Sequence, residues 1–232
     1  MSNDYKELPP LLSEDIINRA KRFGSAELCD GMKGMGIPND GCMAYDILPI
    51  DINSKMVGTA CTVETKEGDN FPIHVAIYQG KPGYVLVVDG GNYKERTYLG
   101  DLMGAAAHAI GFEGIVCDGL VRDRLGLKQI GIPVFSRGFM QRTPSKKGPG
   151  KINTEIKCGD CVVQPGDLIV GDCDGVTVVP REYIEEVLQK AEEKLDYEEK
   201  RREKIAEYRQ ARQEGKELPN LAPKWVLDMM EK

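Results

Sequence analysis

The stretch "YVLVVDGGNYKERTYLGDLMGAAAHAIGFEGIVCDGLVRD", residues 84–123, decides the fold class of this chain. Residues 84–89 and 114–118 are short, continuous apolar runs, which is the pattern of strands buried on both faces. Residues 96–111, which lie between these runs, predict a helix. A strand, a helix and a strand in this order predict two parallel strands joined by a crossover helix, and therefore an α/β fold.

The same alternation continues on both sides of this unit. Residues 56–65, "MVGTACTVET", are rich in β-branched side chains and predict a strand. Residues 124–130 predict a short helix, and residues 132–137 predict a further strand. After Gly138, short apolar runs separated by glycine, aspartate and proline turns predict a second, β-rich layer.

The end of the chain is highly charged and has a helical pattern. Apolar side chains at helical spacing predict a single apolar stripe, formed by Ile184, Leu188, Ala191 and Leu195. We therefore expect one domain over residues 1–180, followed by a charged C-terminal helix and tail over residues 181–232. We expect this helix and tail to pack on a neighbouring subunit.

The composition argues against several classes of function. The chain has 232 residues and a net charge of -6, and its acidic and basic side chains are interspersed, so no basic face for nucleic acid is apparent. No apolar run reaches the ~20 residues that a membrane helix needs, and the polar amino terminus does not resemble a secretory signal. We therefore expect a cytoplasmic protein that binds neither nucleic acid nor a membrane.

The seven cysteines are an odd number, in a chain large enough to build a core without disulfides. We therefore expect them to be reduced thiols. Cys158 and Cys161 have the spacing of one half of a zinc knuckle, but no second pair at similar spacing exists. A tight hairpin turn at residues 159–160 is the favoured interpretation.

Carboxylates near strand ends are the remaining candidates for catalysis. The chain has two histidines and lacks both a Walker A loop and a G-x-S-x-G motif, so a histidine-rich metal site, nucleotide chemistry and a serine triad are disfavoured. In open α/β sheets, ligands bind beyond the carboxyl ends of the parallel strands. Asp89 and Asp118 end two predicted strands, and Arg122 and Asp123 follow in the next loop.

The adjacent Arg122 and Asp123 allow two interpretations. As an exposed or mutual ion pair, they would contribute under about 1 kcal/mol and have no further role. Alternatively, Arg122 grips a carboxylate with two parallel hydrogen bonds, and Asp123 holds a hard divalent cation. Together they would bind a 2-oxo acid, because the cation would polarise its keto oxygen.

Four segments carry a resemblance to a known family: "GYVLVVDGG", "LGDLMGAAAHAIGFEGIVCDGLVRD", "GIPVFSRG" and "VVQPGDLIVGDCDGVTVVP". They resemble the RraA-like family, named for a regulator of ribonuclease activity. This family includes the class II 4-hydroxy-4-methyl-2-oxoglutarate / 4-carboxy-4-hydroxy-2-oxoadipate aldolases. Its signature is an aspartate, twenty further residues and then Arg-Asp, which Asp101, Arg122 and Asp123 match. The resemblance covers about residues 15–200.

The resemblance implies a layered β/β/α fold like the swivelling domain of phosphotransfer enzymes, assembled as a homotrimer or a homohexamer. It implies a site between subunits that uses Mg²⁺ or Mn²⁺. Asp123 would be the metal ligand, and Arg122 would hold the pyruvyl carboxylate. The implied reaction is retro-aldol cleavage of a 4-hydroxy-2-oxo acid to pyruvate and a second oxo acid, with oxaloacetate decarboxylation as a side activity.

Further residues take their roles from the same resemblance. The backbone amides around Gly100, Leu102 and Met103 would complete the pocket for the carboxylate. Asp101 would orient the water that moves protons, or a water bound to the metal. These roles are expectations that follow from the resemblance and not from spacing alone.

Two acidic residues of a neighbouring subunit would help to organise that water. Asp30 takes the first position, where the aldolases carry the longer glutamate. The second position falls at Glu198 or Glu199, and the helical spacing from the apolar stripe predicts that one of the two faces inward.

The sequence does not determine which residues bind the distal half of the substrate. Three basic residues are candidates to hold a distal carboxylate: Arg124, Arg137 and Arg142. The tail after about residue 210 does not match the aldolases. Two alternative functions are a lyase for another oxo or sugar acid and a non-catalytic regulator that binds a ribonuclease.

Overall fold

A mixed sheet of nine strands forms the centre of the computed structural model, which describes residues 3–231. The strands are β1 (Asp4–Tyr5), β2 (Leu48–Pro49), β3 (Met56–Thr65), β4 (Tyr84–Leu99), β5 (Gly114–Val121), β6 (Val134–Phe139), β7 (Gly150–Ile152), β8 (Ile156–Cys158), β9 (Cys161–Val163), β10 (Leu168–Asp172) and β11 (Gly175–Val179). The helices are α1 (Glu14–Ala20), α2 (Ser25–Met32), α3 (Phe71–Gln79), α4 (Asp101–Ile110), α5 (Arg124–Ile130), α6 (Ile184–Gln213) and α7 (Lys224–Met230). Short 3₁₀ turns lie at Pro38–Gly41 and Arg181–Tyr183.

Strands β3, β4, β5 and β6 lie side by side and run parallel, as the alternating pattern predicts. Helix α4 joins β4 to β5, and α5 joins β5 to β6. The antiparallel strands β10 and β11 extend the sheet from β3, and β8 pairs with β9 as a separate hairpin. The predicted α/β class, with a parallel core, a β-rich part and a C-terminal helix, is confirmed.

The parallel strands are apolar on both faces because both faces are covered. Helices α3, α4 and α5 pack on one face, where Ile73, Ala107 and Leu127 are buried against it. The hairpin of β8 and β9 contributes to the core on the other face, through side chains such as Ile156 and Val163. This burial explains why the strands read as continuous apolar runs and not as alternating ones.

The predicted helix over residues 96–111 begins later, at Asp101. Strand β4 instead continues to Leu99, because Thr97 and Leu99 pair with the end of β5 through irregular register shifts. Residues 97–99 are buried. These bulges depend on the partner strand, so the local sequence does not show them.

The first turns of α6 belong to the body of the protein. Ile184, Leu188 and Ala191 are buried in a third core cluster with residues of α1 and α2. Beyond Leu195 most side chains of α6 are exposed. The segment between α6 and α7 contacts α6 through Arg201, whose Nη2 atom donates to the Leu221 carbonyl at 3.0 Å. Packing of this segment on a neighbouring subunit stays a prediction.

Among residues 3–231, none of the helices combines the length and the apolar character that a membrane crossing requires.

The cysteines follow the predictions only in part. Gly159 and Asp160 have positive φ and form the predicted tight turn between β8 and β9, with Cys158 opposite Cys161. Cys29 and Cys42, however, have their sulfurs in bonding contact, with their Cα atoms 6.3 Å apart. The turn at residues 38–41 folds the chain back onto α2, so the prediction that every cysteine is unpaired is wrong for these two.

Candidate functional site

The signature residues meet at one edge of the parallel sheet. Asp101 is the first residue of α4 and is separated from the end of β4 by Gly100, and Arg122 directly follows β5. Leu99 pairs with Val121 across these two strands, and the Arg122 N–H donates to the Leu99 carbonyl at 3.0 Å. The twenty residues between Asp101 and Arg122 are therefore one helical crossover, which returns the chain to the same edge.

Gly100 lets the pair Arg122–Asp123 lie directly against the backbone. A Cβ atom built at Gly100 would overlap the Asp123 Oδ2 atom and would lie 3.2 Å from the Arg122 Nε atom. The backbone of Gly100 is extended, with φ -140°, so its conformation does not itself demand glycine. The demand comes from the close approach of the Asp123 carboxylate.

Arg122 and Asp123 are held by different contacts. Asp123 precedes α5 with a left-handed backbone, φ 57°, and its side chain is 42% exposed. The Arg122 side chain is 38% exposed; its Nε atom lies 3.4 Å from Asp123 Oδ2, and its Nη1 atom donates to Thr143 Oγ1 at 2.9 Å. This loose, water-accessible pair leaves both groups able to exchange partners when a ligand arrives.

A cavity of about 140 Å³ adjoins these groups. The first turn of α4 forms one wall, with Gly100, Leu102 and Met103, as the resemblance implies for the carboxylate pocket. The first N–H groups of a helix have no partner within the helix, and the Leu102 N–H donates to Asp101 Oδ1 at 2.7 Å. The other oxygen of Asp101 packs against α5, 2.7 Å from where a Cβ atom of Gly126 would lie.

Four polar lining residues were not singled out for this site from the sequence: Asn70, His74, Thr143 and Lys146. His74 lies on α3 and is half-buried; its burial, and then the charge of Lys146, lower its pKa, which favours the neutral imidazole. Asn70 Nδ2 donates to Met103 Sδ at 3.3 Å, and its buried Oδ1 has no hydrogen-bond partner among residues 3–231. Proline is common in the first turn of helices, so Pro72 could have predicted that α3 begins here and that His74 lies on it.

A second cavity, of about 360 Å³, lies beside the same pair. Arg122 and Asp123 line both cavities, and Arg124, Phe139 and Gln141 line only the larger one. The Arg124 guanidinium carbon lies 4.5 Å from the centroid of the Phe139 ring, a cation–π contact that orients the guanidinium. Arg122 and Asp123 thus line both the small cavity and the larger one.

The prediction that Asp89 and Asp118 end their strands is wrong, because β4 and β5 continue past them to Leu99 and Val121. Asp118 and Arg137, which lies within β6, have a structural role. The side chains of Asp118 and Arg137 are each 7% exposed and form an ion pair, which Asp46 extends through Arg137. Asp118 also accepts the Gly159 N–H at 2.7 Å and so fixes the hairpin turn. Arg137 is therefore engaged, and neither Asp118 nor Arg137 lines the two cavities. Burial raises the pKa of Asp89, which also lies outside them.

Asp30 and Glu198 lie on another face of the same chain. Asp30 is 53% exposed and its Oδ2 atom lies 3.3 Å from Lys194 Nζ on α6. Glu198, one turn further along α6, is 29% exposed and pairs with Arg202 at 2.8 Å, whereas Glu199 is exposed. The two predicted acids thus lie on two helices that pack together, α2 and α6, and neither lines the cavities of its own chain.

The residues at the small cavity fit a hard divalent cation. Mg²⁺ is commonly held by one or two carboxylates with water completing the shell, and the half-exposed Asp123 offers such a carboxylate. Asp172, Cys173 and Asp174 are a separate cluster whose ligand atoms lie within 4.8 Å of one another. Both oxygens of Asp172 already accept hydrogen bonds from Ser25, so this cluster connects its loop to α2.

Comparison with known proteins adds a sequence likeness to this geometry. The model of the RraA-like family, described as Aldolase/RraA, matches residues 25–178. A protein of Halalkalibacterium halodurans is 41% identical over 193 residues, which cover 83% of this chain and 90% of that protein. It carries the provisional name 4-hydroxy-4-methyl-2-oxoglutarate aldolase.

Two solved structures are similar in fold. An uncharacterized protein from Pseudomonas syringae has a TM-score of 0.75 at 26% identity, covering 86% of this chain and 96% of that one. Streptomyces coelicolor RraAS2, described as an unusual member of the RNase ES inhibitor RraA protein family, has a TM-score of 0.74 at 26% identity. That comparison covers 82% of this chain and 98% of the Streptomyces chain.

Proposed function

The chain belongs to the RraA-like family, Aldolase/RraA, and on this premise we propose that it is a divalent-metal-dependent lyase. The proposed substrate is a 4-hydroxy-2-oxo acid, which is cleaved to pyruvate and a second oxo acid. The observation that carries the proposal is the meeting of Asp101, Arg122 and Asp123 at one cavity of about 140 Å³. The aldolase name of the Halalkalibacterium relative supports the same reaction class.

In this proposal, positive groups of the small cavity bind the pyruvyl carboxylate. Arg122 can hold it with two parallel hydrogen bonds, and its bond to Thr143 keeps the guanidinium in place. The N-terminal turn of α4 adds backbone N–H groups and the positive end of the helix dipole. Lys146 adds a second positive charge to the lining of the same cavity.

The remaining groups handle charge and protons. A Mg²⁺ or Mn²⁺ ion on Asp123 would, when bound, polarise the keto oxygen of the substrate. Asp101 and His74 line the cavity and can accept a proton, directly or through a water, and the lowered pKa of His74 favours its neutral form. Asp101 keeps its position through its bond to the Leu102 N–H, so it can orient a water beside the reacting carbons.

The test of the proposed function is pyruvate release coupled to lactate dehydrogenase. With Mg²⁺ or Mn²⁺, we expect release from 4-hydroxy-4-methyl-2-oxoglutarate and, more slowly, from oxaloacetate. Removal of the metal by EDTA should abolish the release, and added Mg²⁺ should restore it. Absence of metal-dependent release from a panel of 4-hydroxy-2-oxo acids and oxaloacetate would contradict the proposal.

We further propose that Asp30 and Glu198 act in the site of a neighbouring subunit of a homotrimer or homohexamer. The packing of α2 against α6 supports a joint role, since Lys194, one turn before Glu198, contacts Asp30. Glu198→Gln and Asp123→Asn should each be nearly inactive as pure assemblies. Co-expressed in equal amounts, they should regain about a quarter of wild-type activity, because random assembly restores about one site in four. Hybrids that are as inactive as both parents would show that each site uses a single chain.

We expect the distal carboxylate of a diacid substrate to bind in the larger cavity, through Arg124. Arg124→Ala should raise KM for a 4-hydroxy-2-oxo diacid by about tenfold, roughly 1.4 kcal/mol, with kcat little changed. Arg124→Lys should restore only part of the affinity, because lysine cannot stack its charge on Phe139 as a planar group. Arg142→Ala is the matched control and should leave KM unchanged. Equal KM values for all three variants would place the distal carboxylate elsewhere.

The likeness to the Streptomyces protein favours one alternative, inhibition of a ribonuclease. The purified protein would then lower the rate of RNA cleavage in an assay with RNase ES, the enzyme for which that inhibitor family is named. Unchanged cleavage at a large excess of this protein would exclude that alternative. The geometry of the Asp101, Arg122 and Asp123 side chains favours the lyase.

A further inference from the structure

Cys29 and Cys42 combine closeness with access to solvent. Cys29 lies in the last turn of α2, and Cys42 follows the turn at residues 38–41. Their Cα atoms are 6.3 Å apart, within the range of about 4.4–6.8 Å that a disulfide spans. Both residues are half-buried, so a small thiol or disulfide in solution can reach them.

The other five cysteines lack this combination. Cys61, Cys117, Cys158 and Cys161 are buried, and burial raises the pKa of the Cys61 thiol to about 12 and that of Cys161 to about 11. Cys173 is exposed but has no cysteine partner in the described chain. Thiolates and not thiols are the nucleophiles of disulfide exchange, so the buried cysteines are poor reactants.

We propose that Cys29 and Cys42 form a reversible thiol–disulfide modification site that exchanges with glutathione disulfide or a similar small disulfide. In the first step, one cysteine loses its proton and attacks a sulfur of glutathione disulfide, which releases one glutathione. In the second step, the other cysteine attacks the mixed disulfide and releases the second glutathione. Two electrons pass from the cysteines to glutathione, and the two cysteine protons end on the released thiols.

The bond closes the loop of residues 30–41. Within this loop Met35 and Ile37 pack against the third core cluster, whereas Gly34 and Gly36 are open, since a methyl group added at either would meet no atom within 4 Å. Its far end is anchored, because Asn39 Nδ2 donates to the Asp160 carbonyl at 3.2 Å and Cys161 Sγ donates to the Cys42 carbonyl at 2.9 Å. Oxidation therefore ties the end of α2 to a fixed point.

Oxidation of Cys29 is also expected to change the position of Asp30, the next residue in the chain. Asp30 has only the partly exposed Lys194 as an ion-pair partner among residues 3–231, so its position depends on the end of α2. The link between oxidation and catalysis rests on the proposed function, in which Asp30 serves a neighbouring site. The modification itself does not depend on it, and the experiment therefore measures the thiols and the loop and not the lyase rate.

The experiment incubates the full chain in buffers of reduced glutathione, oxidised glutathione or both, without denaturant, followed by alkylation and peptide mass spectrometry. Oxidised buffer should give a linked Cys29–Cys42 peptide, and excess reduced glutathione should return both residues to the alkylated form. Amide hydrogen exchange over residues 33–38 should be at least severalfold slower in the oxidised protein.

Matched variants separate this site from general oxidation. Cys173→Ser should keep the linked peptide and the change in exchange, whereas Cys29→Ser and Cys42→Ser should each lose both. If either of these two variants fails to fold, the other and the wild-type titration decide. Equal alkylation of Cys29 and Cys42 in reduced and oxidised buffer would overturn the proposal. A linked peptide that excess reduced glutathione cannot open would overturn it as well, because the bond would then be permanent.

Discussion

Asp123→Asn is expected to lower kcat/KM for pyruvate release by about 10³-fold, which is ~4 kcal/mol of transition-state stabilisation. Asparagine keeps the shape of the side chain and tolerates the left-handed backbone of this position, φ 57°, but it removes the negative charge that a divalent cation needs. Alanine would remove the charge too, but it would add backbone strain, so asparagine gives the clearer result.

The stability of the protein should hardly change in the same variant. The Asp123 side chain is 42% exposed, its contact with Arg122 is loose at 3.4 Å, and it caps no helix N–H through its side chain. Loss of such an exposed pair costs under about 1 kcal/mol. Thermal unfolding monitored by circular dichroism should therefore match wild type, and apparent metal affinity from an Mn²⁺ titration should fall.

An acid in the other cluster provides the control for this variant. Asp174→Asn removes a carboxylate of the Asp172, Cys173 and Asp174 group, which lies apart from the two cavities. We expect this control to keep wild-type activity and wild-type Mn²⁺ affinity. If Asp174→Asn lost the activity and Asp123→Asn kept it, the assignment of the metal ligand would be wrong.

The second large effect is on stability, at the buried ion pair of Asp118 and Arg137. Asp118→Asn should lower the free energy of unfolding by about 3 kcal/mol or more, because it leaves a buried guanidinium with only Asp46 as a charged partner. The Arg137 side chain is 7% exposed, so water cannot replace the lost carboxylate. Urea denaturation followed by fluorescence or circular dichroism measures this loss.

Two further variants decide whether the buried charge is the cause. The double variant Asp118→Asn/Arg137→Met should recover part of the lost stability, because it no longer buries an unpaired cation. Asp51→Asn, which breaks the more exposed pair of Asp51 with Lys128, should cost under about 1 kcal/mol. A loss below about 1 kcal/mol for Asp118→Asn would mean that water reaches Arg137 in solution.

The sequence predicts the parallel core of the fold well because its signals are local. Residues 56–65 form β3 with the predicted bounds, and residues 124–130 form α5 with the predicted bounds. The long β4 was not predicted, since Thr97 and Leu99 extend the strand only by pairing with β5. Helix α3 was not predicted either, and with it the position of His74 remained unknown.

The site was predictable only where chain connectivity determines it. Asp101 and Arg122 follow neighbouring parallel strands, so their closeness follows from the order of elements along the chain. Lys146 and Thr143 come from the loop between β6 and β7, whose path depends on tertiary contacts. The contact of Cys29 with Cys42 depends in the same way on the turn at residues 38–41.

The helical crossover between Asp101 and Arg122 has a consequence for how the family can vary in length. One residue inserted within β5 would turn every later side chain of the strand to the opposite face, and Arg122 would lose its place at the cavity. Insertions in α4 would shift Asp101 relative to Gly126. The length of the segment from Asp101 to Asp123 is therefore fixed, and we expect it to tolerate neither insertion nor deletion. Length changes that preserve the site are expected outside it, for example after residue 214.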